Sequence, residues 1–177
     1  MKSYKFLCSK ILLILFANQF FLCVPQVKSA ENIKIIYSLF SRTIEVDSLR
    51  NFAENGYATR NLRRILNATG SSDGEIRSIL TKNFEIPITI ASKLAYSEIG
   101  NVFLSRLSVI LHPTKARDER TGMIALRASV VQGINLGEGK IDLIKFFEGY
   151  PTKTVILNVN ALSKVMNKVE SISELLD

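Results

Sequence analysis

Both cysteines of this 177-residue chain, Cys8 and Cys23, fall within its first thirty residues, so whatever folds after them must be held by packing alone. Those thirty residues have a composition of their own. Lys2, Lys5 and Lys10 make a basic start, and Ile11 to Val24 form an apolar run interrupted by Asn18 and Gln19. Pro25 and then Val27-Lys28-Ser29-Ala30 supply a helix breaker and small residues. The order positive, apolar, small is that of a secretory signal peptide, and an apolar core this short is poorly suited to spanning a bilayer. The predicted organisation is a signal peptide over residues 1–30 followed by one domain over 31–177. Cleavage after Ser29 places Val27 and Ser29 at the recognition positions, whereas cleavage after Ala30 puts the charged Lys28 there. The chain is expected to be exported, as a periplasmic or secreted protein. The alternative is a membrane anchor over residues 6–27 that is never removed, with Lys10 snorkelling to the surface. Lipid attachment at Cys23 is disfavoured because the bulky Leu22 precedes it.

Export without cysteine excludes a disulfide, a thiol nucleophile and a thiolate metal ligand in the mature chain. A chain of roughly 147 residues can bury enough surface to do without them. The charge balance shifts as well. Four of the 23 lysines and arginines lie in residues 1–30, and their removal leaves 19 basic against 16 acidic groups, a net of +3 rather than +7. That is too mild a field to argue for nucleic acid.

Residues 32–46 read as a β-hairpin, with Ile33, Ile35 and Tyr37 alternating on one arm, Ile44 and Val46 on the other, and Ser38 to Ser41 as the turn. Helices follow. Asp47 and Thr59 are placed as N-caps, Gly56 and Gly70 as stops, and Ser72-Asp73-Gly74-Glu75 as a capping box. The helix behind that box is expected to turn Ile76, Ile79 and Leu80 inward. Pro87 suits a first helical turn leading to Leu94. Ser97 caps an apolar helix that runs to Leu111 and is closed by His112-Pro113. Lys115 to Arg120 reads as a charged loop, Met123 to Val131 as a helix, and Gly133 to Gly139 as a glycine-rich connection. A short helix carries Leu143, Ile144, Phe146 and Phe147, Thr154 to Leu157 supplies a third strand, and Leu162, Val165, Met166, Val169, Ile172 and Leu176 mark a last amphipathic helix. The fold class predicted is mainly α: a compact multi-helix domain with a small antiparallel hairpin or three-stranded sheet.

Motifs for catalysis are weak. Gly70-Ser71-Ser72-Asp73-Gly74 fits the G-x-S-x-G pattern, but a nucleophile elbow needs a strand before the serine, and here a helix precedes it. His112 is the only histidine, so neither a triad nor a closed metal site assembles in the usual way; its ordinary role at a helix end is to favour the dipole there. Gly139-Lys140 stands in a glycine-rich loop whose spacing is wrong for a phosphate loop. No catalytic residue, metal or cofactor is predicted. Arg60, Arg63 and Arg64 share one helical face, either a solvated surface or a site for an anionic partner. Arg127 sits among Ile124, Ala128 and Val131, so its charge needs a partner. Glu98 or Asp142 would make a structural ion pair, and an anion in a cleft is the other reading.

Several runs resemble a family as an ordered set. Arg42-Thr43-Ile44-Glu45-Val46-Asp47-Ser48-Leu49, then Phe52-Ala53 and Gly56, Ser97-Glu98-Ile99-Gly100, Ala125-Leu126-Arg127-Ala128-Ser129 and Tyr150-Pro151-Thr152 are similar to landmarks of an uncharacterised domain known mainly from cyanobacterial proteins, domain of unknown function 1400. The likeness covers roughly residues 31–160. In that family the domain stands between a signal peptide and an α/β-hydrolase domain, so the resemblance implies a helical accessory module of an exported hydrolase. The hydrolase domain itself is expected to be absent here, and no catalytic position carries over. The expected function is a non-catalytic exported accessory or binding domain that docks a protein partner, such as an exported hydrolase, through the C-terminal helix over residues 160–177. The alternative is a small exported hydrolase, or a hydrolase-associated subunit, built around Ser72, His112 and a carboxylate. Nucleic acid is not expected as a partner, and a membrane only if the leading segment is retained.

Overall fold

The computed structural model describes residues 29–115 and 118–165. The leading apolar segment through residue 28, Ala116 and Arg117 in the charged loop, and Met166, Val169, Ile172 and Leu176 of the last helix lie outside the described residues.

Two strands open the domain, β1 (Asn32–Tyr37) and β2 (Phe40–Glu45), paired antiparallel with Ile33 opposite Ile44 and Ile35 opposite Arg42. The turn is tighter than Ser38 to Ser41. Phe40 and Ser41 belong to the strand, and the chain reverses over Ser38 and Leu39 with Ser38 at φ 51°. Val46 does not continue the strand but begins α1 (Val46–Asn55), whose Leu49, Phe52 and Ala53 point inward and which stops at Gly56, φ 72°. Glu45, not Asp47, occupies the N-cap, with no side-chain bond. Asp47 lies one residue inside the first turn and pairs with Arg50 at 2.9 Å. Arg50 also reaches Glu148, tying α1 to a helix far along the chain.

Helix α2 (Arg60–Thr69) follows Thr59, which caps by position alone, and ends at Gly70. The capping box forms in full. Ser72 Oγ accepts from the Glu75 amide and Glu75 accepts from the Ser72 amide, opening α3 (Asp73–Thr81). Leu80 is buried and Ile76 partly so, while Ile79 is exposed. Spacing at about 100° per residue misses this on its own, because α3 is covered on one narrow side only. Arg77 of α3 donates to the carbonyls of Ala53 and Glu54, which satisfies acceptors in the last turn of α1.

After β3 (Phe84–Glu85), Pro87 precedes α4 (Ile88–Ala95), and Ser97 caps α5 (Glu98–Ile110) by accepting from the Gly100 amide. Leu111 to Pro113 do more than close a helix: they form strand β4 (Leu111–Pro113). Asp118 caps α6 (Glu119–Leu136), its side chain accepting from the Thr121 amide. This helix runs straight through Gly133, so the expected loop shrinks to the turn at Gly137 to Gly139. A Cβ on Gly133 would meet Ile141 and the Lys145 carbonyl at 2.9 and 3.0 Å, and one on Gly149 would meet Gly133 N at 2.6 Å. Glycine is present there for close approach of α6 to α7 (Leu143–Glu148), not for a turn. The buried Ser129 hydroxyl bonds the Phe146 carbonyl across the same crossing.

Strand β5 (Lys140–Ile141) pairs with β3, and β6 (Thr154–Asn158) completes the main sheet in the order β2-β1-β6-β4. β6 runs parallel to β1 and antiparallel to β4, so the sheet is mixed and has four strands where three were expected. Residues 159–165 are helical. Asn160 at the start of that stretch accepts from the Ser38 amide at 2.8 Å, joining it to the hairpin turn. The result is a mainly helical domain with a small mixed sheet, its core centred on Phe52, Leu126, Tyr150, Val155 and Ile33.

Candidate groove and docking face

Side chains directly opposite in paired strands share a face. Ile33, Ile35, Arg42, Ile44 and Leu157 therefore project together from one side of the sheet. Helices α2 and α3 and the start of the helical residues 159–165 stand over that side, and between them lies an apolar groove of about 560 Å³. Leu62 and Ile65 of α2, Ile76 of α3, and Val159 and Leu162 line it from the helical side. Arg42 and Arg64 are the only charged residues among its described lining, one from the strand wall and one from the helix wall.

A second feature lies on α4 and α5. Each buries a narrow stripe of small or aliphatic residues, Ala91 and Ala95 on α4, Gly100, Leu104 and Ser108 on α5. The residues left outside are also apolar: Ile90 and Leu94 on α4, and Ile99, Val102, Phe103 and Val109 on α5 at spacings of three, one and six. Ile99 is 78% and Phe103 64% exposed. A helix that is hydrophobic around most of its circumference but covered on one side marks a surface awaiting something. The sequence marks the run from Ser97 to Leu111 as an apolar helix without saying which side is covered; it is apolar on too many sides for one neighbour to cover.

The three arginines of α2 differ in their surroundings. Arg63 pairs with Asp73 at 2.7 Å, and Arg64 borders the groove. Arg60 is exposed on the first turn. Arg127 is half-buried as expected, but its partners are neutral. It donates to the Ala95 carbonyl at 2.9 Å and to the Asn101 side chain, and its guanidinium lies 4.9 Å from the centre of the Tyr96 ring. Neither Glu98 nor Asp142 forms an ion pair with it among the described residues. Asp142 instead caps α7 and pairs with Lys145 at 3.1 Å. A guanidinium so engaged holds the α4–α5 corner against α6.

The catalytic alternative does not assemble. Ser72 is occupied as a cap, and His112 sits opposite Ile156 on β4, on the face of the sheet turned away from the groove and from α3. Its ring nitrogen lies 3.1 Å from the Pro113 carbonyl, so it belongs to the strand and not to a helix end. Gly139-Lys140 forms a turn in which Lys140 pairs with Glu85 at 2.8 Å. Among the described residues no triad forms and no group of three or more His, Cys, Asp or Glu side chains could hold a metal ion. No helix among them is long and apolar enough to cross a membrane.

No curated protein and no solved structure matches the chain. A family described as "Alpha/beta hydrolase of unknown function (DUF1400)" matches residues 29–158, from just before β1 to the end of β6. The matched residues form a mainly helical domain with a four-stranded mixed sheet and a two-stranded one, not the broad parallel sheet of a hydrolase, so the description refers to an association of the family and not to the fold of this part. On a match over most of its length, the chain belongs to that family.

Proposed function

We infer that the chain is an exported, non-catalytic docking domain that serves an α/β-hydrolase of its family. The observation that carries this reading is the uncovered apolar face of α4 and α5. Large exposed apolar surfaces on soluble domains mark interaction sites, and an adjoining catalytic domain is the partner that the family description offers. The helical residues 159–165 supply a second contact through the exposed Leu162 and Val165, the first of which lines the groove. Export is supported by the leading basic and apolar segment. Ala30 is only 3% exposed and packs in the core, which favours cleavage after Ser29 over cleavage after Ala30.

The test is co-purification of the full chain with an α/β-hydrolase of the family from envelope extracts, comparing the natural sequence with a Val102→Asp, Phe103→Asp variant. Both positions are exposed, so circular dichroism and melting temperature should hold while hydrolase capture falls at least tenfold. A Leu162→Asp, Val165→Asp variant should weaken capture less. N-terminal sequencing of the same material should begin at Ala30. Equal capture by natural and variant chains would remove α4 and α5 from the interface.

A further inference from the structure

We propose that the groove between the sheet and α2 binds a long-chain fatty-acid anion, with the alkyl chain along Ile35, Leu62, Ile65 and Leu157 and the carboxylate held by Arg42 and Arg64. The proposal is independent of docking through α4 and α5, since it concerns a different face. Its volume, about 560 Å³, falls in the range of about 300–1,000 Å³ typical of small-molecule sites. Its wall is aliphatic and aromatic, an environment that water fills poorly because it offers too few hydrogen-bonding partners. Such a wall selects for hydrocarbon but says nothing about a head group.

The head group is specified by charge. Among the described lining residues the two charges are both positive, and no carboxylate lines the groove. Arg42 lines the groove from β2, opposite Ile35, and Arg64 lines it from α2, so each wall carries one arginine. Neither forms an ion pair among the described residues, in contrast to Arg50 and Arg63, which do. Both side chains belong to exposed residues, so the charge sits at the rim and stays hydrated until an anion replaces the water. A guanidinium fork matches a carboxylate in two parallel hydrogen bonds. A linear chain with one anionic end satisfies both halves of the site, whereas a neutral lipid leaves the arginines without a partner and a small anion leaves the apolar wall wet.

The chain has no Trp, so the fluorescence of cis-parinaric acid can be read on the full protein without background from indole. Saturable one-to-one binding is expected, with displacement by decanoate, dodecanoate, tetradecanoate and hexadecanoate. Affinity should tighten roughly fourfold per methylene until the groove is full. Hexadecanol should compete at least tenfold less well than hexadecanoate. An Arg42→Gln, Arg64→Gln variant should lose about tenfold for hexadecanoate and leave hexadecanol unchanged, and Ala68→Phe, an exposed position on the groove wall, should weaken both. Equal affinity for acid and alcohol, or indifference to the arginine substitutions, would overturn the assignment. So would absence of saturable binding.

Discussion

Tyr150 is fully buried, and its hydroxyl has no hydrogen-bond partner among the described residues. Burial pushes its ionisation well above the ordinary phenol range, because the charged form would have to exist without solvent. An unsatisfied buried hydroxyl costs about 1–3 kcal/mol of desolvation, and phenylalanine keeps the ring without that cost. Tyr150→Phe should therefore raise stability by about 1 kcal/mol, read as an increase of a few degrees in melting temperature. A loss of similar size would show that the hydroxyl is bonded in solution. At this scale the sequence was half legible. The neighbours of Arg127 at helical spacing disclosed a buried stem, but the identity of its partners depended on where α4 folds back, and a carbonyl, an amide and a ring replaced the expected carboxylate.

The caps show what local chemistry can announce. Ser72 and Ser97 each place a side-chain oxygen on the first free amides of a helix, a bond made within four residues and so written in the sequence; Asp118 does the same from within the stretch that reads as a charged loop. Gly133 and Gly149 show what it cannot. A glycine near a helix end looks the same whether it ends the helix or clears space for a neighbour, and only the approach of α7 to α6 decides. Gly149 has φ −72°, so alanine there meets no backbone strain, but its Cβ would fall 2.6 Å from both Gly133 N and the Ser129 carbonyl. Gly149→Ala should destabilise the domain by about 1–3 kcal/mol through overpacking, measured by urea denaturation. Gly74→Ala, where a Cβ meets nothing within 4 Å, is the matched control and should be neutral or slightly stabilising. Strand β4 was missed for the same reason as Gly133: its three residues are a strand only because β6 lies beside them.

Across the whole molecule, three exposed carboxylates share one behaviour. Glu75 is held below the usual carboxylate range by its bonds to Ser72, Glu85 by its bond to Lys140, and Asp118 by its bond to Thr121. A carboxyl whose folded pKa is depressed stabilises the fold above its unfolded value, and that contribution is lost as pH falls through the folded value. The melting temperature should therefore be level from neutral pH to about pH 5 and decline below about pH 4. A Glu75→Gln, Asp118→Asn variant, which keeps the caps but removes two titrations, should show a shallower decline. The hairpin, the succession of short helices and the third strand were readable from periodicity and caps; the groove was not, because its walls come from residues 33 to 162 and none of them is unusual alone.

The side-by-side placement of β1 and β6 has a consequence for how the domain comes into being. One stitch beyond the sheet, Ser38 to Asn160, joins positions 122 apart. A nascent chain therefore emerges with its opening hairpin lacking an inner neighbour until almost all of the domain has been synthesised. Loops of that length close late, so the hairpin's apolar side, Ile33 and Ile35, stays open to chaperones for most of translation.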